Sequence, residues 1–165
     1  MIPKQLKRIR KWIMFRGTSA ITLDSKNRIT IPTRYRDELF ADCQGKMVCT
    51  VDIQHPCLLL YPLPEWEEIE LKLCELSSMN PQERLLQQVL LGNASDCEID
   101  KSGRLLIHGP LRQHAGLKKN LMLVGQLRKF EIWNDSAWQN QMQQGIAQIQ
   151  SGEIELTDRL LDLSL

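Results

Sequence analysis

The sequence predicts an α+β fold, rich in β-strands, that consists of two copies of one module. The first observation is internal similarity, because Asp24 aligns with Asp100 and Arg28 with Arg104 when the chain is shifted against itself by one constant offset. The second is that a run of alternating apolar residues, typical of a half-buried strand, follows each arginine. The third is that the same order of strands and helices can be assigned in both halves. The chain is therefore predicted to be a tandem duplication.

The internal similarity extends beyond these residues. The further matching pairs are Ile29 with Leu105, Ile31 with Ile107 and Arg36 with Arg112 at the same offset, and Tyr61 with Trp133 and Trp66 with Trp138 at a slightly smaller offset. The difference between the two offsets is small, and a loop in the variable stretch between the matched segments can absorb it.

In the first half, four strands are predicted from apolar runs, at residues 19–23, 28–32, 46–52 and 57–61. A short helix is predicted at 35–41, between the second and third strands. A longer helix is predicted at 65–77, because Pro64 suits a first helical turn and the glutamates that follow it stabilise a helix N-terminus.

A separate helix is predicted between the halves, at residues 80–93. Asn80 is the predicted N-cap, Pro81 the first helical residue, and Glu83 the residue that completes a capping box. Gly92 is predicted to end the helix at the C′ position. The apolar stripe, which we expect to contact the core or another subunit, consists of Leu85, Leu86, Val89 and Leu90.

The second half contains four matching strands, predicted at residues 96–99, 104–108, 120–125 and 129–133. Asp135 is the predicted N-cap of a helix that runs from about residue 136 to 149 and ends at Ser151 and Gly152. The final segment, residues 155–165, is predicted to add a short amphipathic helical turn that serves as a docking tail.

The two turns are predicted to share one backbone geometry. Asp24 and Asp100 can accept hydrogen bonds from backbone N–H groups of their turns, as aspartate commonly does in such positions. Asn27 aligns with Gly103, and these residue types best tolerate a positive φ angle. The first turn also resembles the start of a calcium loop. Lys26 occupies a ligand position, however, and no glutamate stands at the twelfth position, so calcium is excluded.

Two interpretations of the arginines follow from the residues alone. Arg28 and Arg104 can pair with Asp24 and Asp100 as ordinary surface ion pairs, which is the preferred interpretation for a single motif of this kind. Two copies in a matched context favour a ligand instead, because guanidinium groups held at a turn by a rigid sheet suit phosphate groups and guanine edges.

Charge is unevenly distributed along the chain, although its net value is only +1. Residues 1–36 contain ten Lys or Arg and one acidic residue, and residues 101–131 contain seven and one. Between them, residues 65–100 contain nine acidic residues and two basic ones. This segregation can give the folded chain a basic face for nucleic acid and an acidic face, or it can be ordinary solvated surface.

Several functional classes are not expected. No apolar stretch reaches the ~18 residues of a membrane span, and no apolar signal-peptide core follows the basic N-terminus. The three histidines have no nucleophile or carboxylate at a motif spacing, so neither catalysis nor a small-molecule substrate is expected. The five cysteines contain no C-x-x-C pair, which predicts reduced thiols in a cytosolic protein, without a metal site or cofactor.

Five segments are specific enough to identify a family. They are MFRGTSAITLDSKNRITIPTRYRDEL, HPCLLLYPLPEWEEIE, LSSMNPQERLLQQVLLGNASDCEIDKSGRLLI, LRQHAGL and MLVGQLRKFEIW. They resemble the MraZ proteins of bacteria, and the resemblance covers residues 14–165. It implies two tandem SpoVT/AbrB-like swapped-hairpin β-barrel domains, at residues 18–65 and 94–137, with a helical connection at 66–93 and a C-terminal helix and tail at 138–165.

The resemblance also implies a function. MraZ proteins form ring-shaped homo-oligomers, octameric or larger, and act as cytoplasmic, nucleoid-associated transcriptional regulators, generally repressors. They bind direct repeats in double-stranded DNA upstream of the division and cell-wall gene cluster that includes their own gene. Arginines of the D-x-x-x-R motif are associated with DNA contact in the family and match Arg28 and Arg104 here. The predicted DNA-binding set also includes Arg16, Lys26 and Lys101, because these residues are basic and close to the motifs.

The sequence departs from the family pattern at two places. Asn27 stands where a glycine usually precedes the first arginine, a mild change because asparagine also tolerates a positive φ angle. Residues 1–13 precede the usual start, either because the start codon is mis-assigned or because the chain carries a disordered basic arm that strengthens phosphate binding. An alternative function is a protein-interaction scaffold or antitoxin-like adaptor in cell division, which the leucine stripe and the acidic segment would serve.

Overall fold

The computed structural model describes residues 13–165, so the predicted basic segment 1–13 lies outside the described residues except for Ile13, which packs against the core. The strands of this part of the chain are Thr18–Thr22 (β1), Arg28–Thr30 (β2), Lys46–Val51 (β3), Leu58–Pro62 (β4), Ser95–Glu98 (β5), Arg104–Leu106 (β6), Asn120–Gln126 (β7) and Lys129–Asn134 (β8). Its helices are Thr33–Cys43 (α1), Leu63–Cys74 (α2), Pro81–Gly92 (α3), Gly109–His114 (α4), Asp135–Ser151 (α5) and Asp158–Leu161 (α6). All the predicted strands are confirmed, with ends that differ by one or two residues.

The strands form a six-stranded sheet and a two-stranded β-ribbon. The sheet has the order β1-β7-β8-β4-β3-β5 with antiparallel neighbours, and the β-ribbon pairs β2 with β6. β1 of the first repeat lies beside β7 of the second, with Thr18 opposite Val124. β5 of the second repeat lies beside β3 of the first, with Cys97 opposite Met47. Each repeat therefore completes the sheet of the other, which confirms the predicted α+β tandem duplication with interleaved hairpins.

The main core fills the space between one face of the sheet and the β-ribbon. Leu58 and Leu60 of β4 belong to this core, whereas Leu59, between them, belongs to a cluster on the opposite face. Ile29 and Leu105 of the β-ribbon are buried against the same core. Apolar burial of these two side chains fixes the β-ribbon on the sheet and leaves its other surface outward.

The opposite face of the sheet carries helices α2 and α5 at equivalent positions. The ring centroids of Tyr61 and Trp66 lie 5.7 Å apart where α2 packs, and those of Trp133 and Trp138 lie 5.5 Å apart where α5 packs. These are the two aromatic pairs that match between the halves of the sequence. The structural repeat therefore extends to the helix that follows the fourth strand of each half.

Helix α3 confirms the predicted N-terminus but not the predicted C-terminus. The Asn80 side chain accepts hydrogen bonds from two backbone N–H groups of the first turn, as an N-cap does. The predicted capping box is wrong, because the N–H of Asn80 donates to the carbonyl of Ser77 and the Glu83 carboxylate accepts from the N–H of Ser77. Gly92 is still helical rather than C′, because Asn93 ends the helix and donates its side-chain amide to a carbonyl of the last turn.

Other helices also differ from their predicted bounds. Asp135 is the first residue of α5 rather than its N-cap, a position that Asn134 takes without a side-chain cap bond. The predicted end of α5 is confirmed at Gly152, which has a φ angle of 76°. α1 begins at Thr33, two residues before the predicted start, because Pro32 ends the extended segment before it. α4 was not predicted, and it lies in the second half between β6 and β7.

The tail forms the predicted short helix α6, which Thr157 caps through its hydroxyl oxygen. Its apolar side chains, among them Leu156, Leu161 and Leu163, are exposed, so docking of this segment stays a prediction. Among residues 13–165, no helix combines the length and the apolar character that crossing a bilayer demands.

The five cysteines are free thiols, as predicted. Cys43, Cys49 and Cys57 are buried, Cys97 is partly buried and Cys74 is exposed. Burial raises the pKa of the Cys97 thiol to about 12 and also raises the pKa values of the three buried thiols. These four groups are therefore protonated at neutral pH and poor nucleophiles.

Candidate nucleic-acid interface

The β-ribbon places Arg28 and Arg104 on one surface. Its paired residues are Arg28 with Leu106, Ile29 with Leu105, and Thr30 with Arg104. Ile29 and Leu105 are 0% and 1% exposed and face the core, so the residues on either side of them face outward. Arg28 and Arg104 are therefore diagonal neighbours on the outward surface, with Cα atoms roughly 7–8 Å apart. We call this outward surface, together with turns 24–27 and 100–103, the ribbon face.

The first turn is held by its aspartate. Oδ1 of Asp24 accepts hydrogen bonds of 2.9 Å from the backbone N–H groups of Lys26 and Arg28. The N–H of Asn27 donates to the carbonyl of Asp24 over 3.0 Å, and Asn27 has a φ angle of 63°. Asp24 thus accepts the hydrogen bonds of this turn, and Asn27 is its left-handed residue.

The second turn repeats this geometry. Oδ1 of Asp100 accepts from the N–H groups of Ser102 and Arg104 over 2.8 and 2.9 Å. The N–H of Gly103 donates to the carbonyl of Asp100 over 2.9 Å, and Gly103 has a φ angle of 79°. The alignment of Asn27 with Gly103 thus corresponds to one backbone conformation, which only a few residue types adopt without strain.

Each turn also accepts a hydrogen bond from the residue just beyond the β-ribbon strand of the other repeat. The N–H of Ile31 donates to the carbonyl of Gly103 over 2.7 Å, and the N–H of Ile107 donates to the carbonyl of Asn27 over 3.0 Å. The left-handed residue of each repeat therefore receives a hydrogen bond from the other repeat. Turn geometry and β-ribbon pairing fix one another, which makes the ribbon face a rigid platform.

Each arginine forms an ion pair with the aspartate of its own turn. Arg28 Nε lies 2.9 Å from Asp24 Oδ2, and Arg104 Nε lies 3.4 Å from Asp100 Oδ2. Nε of each arginine faces the carboxylate, and no hydrogen bond within residues 13–165 involves the Nη groups of either side chain. The aspartates thus orient the guanidinium groups and leave the Nη edge for a ligand. The ion-pair interpretation and the ligand interpretation are compatible.

The turn aspartates keep their charge at neutral pH. The backbone N–H of Arg28 holds the pKa of Asp24 below its usual value, and the backbone N–H of Arg104 does the same to the pKa of Asp100. The cations of the ribbon face are Lys26, Arg28, Lys101 and Arg104. Four cations against two carboxylates leave this surface positively charged, as an anionic ligand requires.

Two further arginines adjoin the ribbon face, although the predicted site does not include them. Arg36 Nε donates to the carbonyl of Ile31 over 2.7 Å, and Arg112 Nη1 donates to the carbonyl of Ile107 over 2.6 Å. Each arginine comes from the helix after the β-ribbon strand and binds the residue just beyond that strand. The match of Arg36 with Arg112 between the two halves is the sequence signal that identifies them.

Arg16 lies away from the two turns. It precedes β1, whereas the turn with Asp24 follows that strand, so the two lie at opposite ends of β1. The carbonyl of Arg16 accepts a hydrogen bond of 2.6 Å from the Tyr35 hydroxyl. Lys26 and Lys101 are exposed in the turns themselves. Contact of Arg16, Lys26, Lys101 and the two motif arginines with DNA stays a prediction.

The charge segregation of the sequence has a structural counterpart. Helix α2 carries Glu65, Glu67, Glu68 and Glu70, and it packs on the sheet face opposite the main core and the β-ribbon. The basic ribbon face and this acidic helix therefore lie on opposite sides of the sheet. Among residues 13–165, no group of three or more His, Cys, Asp or Glu residues is arranged to hold a metal ion.

Comparison with known proteins identifies a family and agrees with the tandem duplication. A family model described as "MraZ protein, putative antitoxin-like" matches the chain twice, over residues 14–89 and 90–160. A transcriptional regulator MraZ from Colwellia psychrerythraea is 88% identical over 152 residues, which cover 92% of this chain and 100% of that protein. Proteins of the same name from Idiomarina loihiensis and Enterobacter sp. are 62% and 60% identical over the same shares of both chains.

Proposed function

Since the chain belongs to the MraZ family, we propose that it is a transcriptional regulator that binds double-stranded DNA with its ribbon face. The observation that carries this proposal is the position of Arg28 and Arg104 as diagonal neighbours on one outward surface. A two-stranded β-ribbon fits the major groove of B-DNA, where arginine pairs in bidentate fashion with guanine. The Nη edges of both arginines are suited to that contact or to phosphate groups.

The targets that we propose are direct repeats upstream of the division and cell-wall gene cluster, including the promoter of the protein's own gene. Repression is the proposed effect, and the cytoplasmic nucleoid is the proposed location. Support comes from the resemblance to the MraZ family over residues 14–165. The DNA-binding surface offers electrostatic and hydrogen-bonding groups rather than nucleophiles, so the proposed function is not enzymatic and needs no cofactor.

A ring-shaped homo-oligomer, octameric or larger, is the proposed active form. Ile146 and Ile149 on α5 are 52% and 65% exposed, and the tail adds exposed leucines, which supports contact with further copies of the chain. Several ribbon faces in one particle would engage successive repeats together. The binding of each repeat then raises the effective concentration of the particle at the next.

Substitution of Arg28 by Ala tests the DNA-binding proposal. We expect Arg28→Ala to weaken binding to a duplex from the protein's own upstream region, because one base or phosphate contact contributes ~1–3 kcal/mol per site. Engagement of several repeats multiplies this loss. Gel-shift titrations measure the affinity, and circular dichroism verifies that the variant is folded.

The matched control is Arg84→Ala, because Arg84 is an exposed arginine on α3, outside the ribbon face. We expect this variant to retain wild-type affinity. Wild-type affinity of Arg28→Ala would contradict the proposal, as would an equal loss in the two variants.

The second candidate function is a protein-interaction adaptor. Leu85 and Leu91 of α3 are 59% and 41% exposed, which favours a protein contact on that helix. Salt distinguishes the two functions, because phosphate contacts release counterions and weaken steeply between low and moderate salt. Apolar protein contacts persist under the same change.

A further inference from the structure

The two turns of the ribbon face differ in their left-handed residue, which is Asn27 in the first and Gly103 in the second. A Cβ atom at Gly103 would overlap Nε and Cζ of Arg36 and would lie 2.9 Å from its Cδ. The guanidinium of Arg36 therefore rests directly on the backbone of the second turn. Arg36 lies on α1 of the first repeat, and its hydrogen bond to the carbonyl of Ile31 holds the guanidinium in this position.

The first turn has a different arrangement. Its left-handed residue is Asn27, which carries a side chain where Gly103 has none. The equivalent arginine, Arg112, binds the carbonyl of Ile107 through Nη1, and its Nη2 approaches Gly109, which belongs to the same helix as Arg112. Arg36 therefore occupies the space that a side chain at Gly103 would need, and at Asn27 that space is taken by the residue's own side chain.

The motif arginine is also less constrained in the second turn. Arg104 Nε is 3.4 Å from Asp100 Oδ2, against 2.9 Å for Arg28 and Asp24. The side chain of Arg104 is 39% exposed, whereas that of Arg28 is 25% exposed. The guanidinium of Arg104 is therefore more available to a ligand than that of Arg28.

We infer that Arg36, Lys101 and Arg104 form a phosphate-binding subsite at the second turn, and that this subsite binds the DNA backbone more strongly than the first turn does. The inference rests on the proposed function. Arg36 covers the backbone of the second turn, where Lys101 and Arg104 also lie, so three cations accompany one carboxylate there. Within residues 13–165, no hydrogen bond involves the Nη groups of Arg36, so they can donate to a phosphate oxygen.

This difference gives the β-ribbon a direction. Its two strands are related by approximate two-fold symmetry, and two equal ends would bind a site equally well in both orientations. A stronger phosphate contact at one end favours one orientation. A direct repeat, which is not palindromic, requires that preference.

Arg36→Gln and Arg112→Gln are the matched pair that tests the subsite. The amide nitrogen of glutamine stands where arginine has Nε, so Arg36→Gln can still donate to the carbonyl of Ile31. Arg112 donates through Nη1, which glutamine does not reach, so Arg112→Gln removes both the charge and the hydrogen bond to Ile107. We expect Arg36→Gln to weaken binding to the upstream duplex by about tenfold at moderate salt and to lower the slope of log affinity against log salt by about one per bound chain. Arg112→Gln should leave the slope unchanged, and Arg36→Lys should restore it because the charge is restored. Fluorescence anisotropy over a salt series measures both quantities.

A second pair avoids any effect on packing. Lys101 and Lys26 are exposed residues at equivalent turn positions. We expect Lys101→Gln to lose severalfold more affinity than Lys26→Gln.

The outcomes separate the two claims. If the wild-type protein binds the duplex, equal slopes for Arg36→Gln and Arg112→Gln would overturn the subsite alone. A slope that Arg36→Lys does not restore would do the same, because the role of Arg36 would then be structural. Absence of wild-type binding would overturn the proposed function together with the subsite.

Discussion

Asn27 and Gly103 occupy the same turn position but have different neighbours. Both have positive φ angles, of 63° and 79°. The carbonyl of each accepts a hydrogen bond from the N–H of an isoleucine in the other repeat. Gly103 lies beneath an arginine side chain, that of Arg36. Glycine is therefore favoured at 103 by the turn and by packing, whereas at 27 asparagine adopts the same backbone conformation with a side chain present.

This difference predicts unequal effects of substitution at the two positions. Gly103→Ala should lower the free energy of unfolding by roughly 1–3 kcal/mol, because it combines a strained φ angle with displacement of Arg36. Asn27→Gly, which keeps the turn conformation available, should change it by less than about 1 kcal/mol. Urea denaturation followed by circular dichroism measures both values. Equal stability of Gly103→Ala and wild type would show that Arg36 does not restrict this position.

Local features of the turns could be predicted at the residue scale, and the contact with Arg36 could not. Asp24 and Asn27 act within one short turn, so their roles depend on turn chemistry that the sequence displays. Arg36 and Gly103 belong to different repeats and lie far apart in the sequence. Their contact follows from the pairing of β2 with β6. A residue pattern carries no record of such a distant contact.

Among the elements, β1 and β5 could be predicted from alternation, because each is covered more on one face than on the other. β3 and β4 could be predicted from continuous apolar runs, because both of their faces are buried. Helix ends were less predictable. α3 continues through Gly92 because Asn93 supplies the terminal hydrogen bond. α4 buries Leu111 within only six residues, too few for a helical period to be visible. Such ends depend on side-chain contacts rather than on periodicity.

Helix α3 depends on its N-cap, because none of its residues is buried. Asn80→Ala removes the acceptor for two N–H groups of the first turn and should lower the free energy of unfolding by about 1 kcal/mol. Thermal denaturation of the variant measures this change. Gln82→Ala, at an exposed position in the same first turn, is the control and should be close to neutral. An equal effect of the two substitutions would contradict the capping role of Asn80.

At the scale of the whole molecule, the duplication could be predicted but the strand pairing could not. The two nearly equal offsets between matching residues reveal two similar modules, and either module could have formed its own sheet. The interleaved pairing was implied by the family resemblance alone. β1 pairs with β7 and β5 with β3, so the partners are distant in the chain and leave no local pattern.

The interleaved pairing predicts that neither repeat folds alone as a monomer. Among residues 13–165, the pairings within one repeat are the hairpins β3–β4 and β7–β8, whereas β1, β2, β5 and β6 all pair across repeats. Separate chains of residues 14–93 and 94–165 should therefore lack the ribbon and half of the core, because an isolated two-stranded hairpin is at best marginally stable in water. Mixed together, they should recover the circular dichroism spectrum and the cooperative thermal transition of the intact chain. Size-exclusion chromatography with light scattering distinguishes this complex from a self-paired dimer of one half, in which a second copy supplies the missing strands. A single half that unfolds cooperatively as a monomer would contradict the requirement for strands from both repeats.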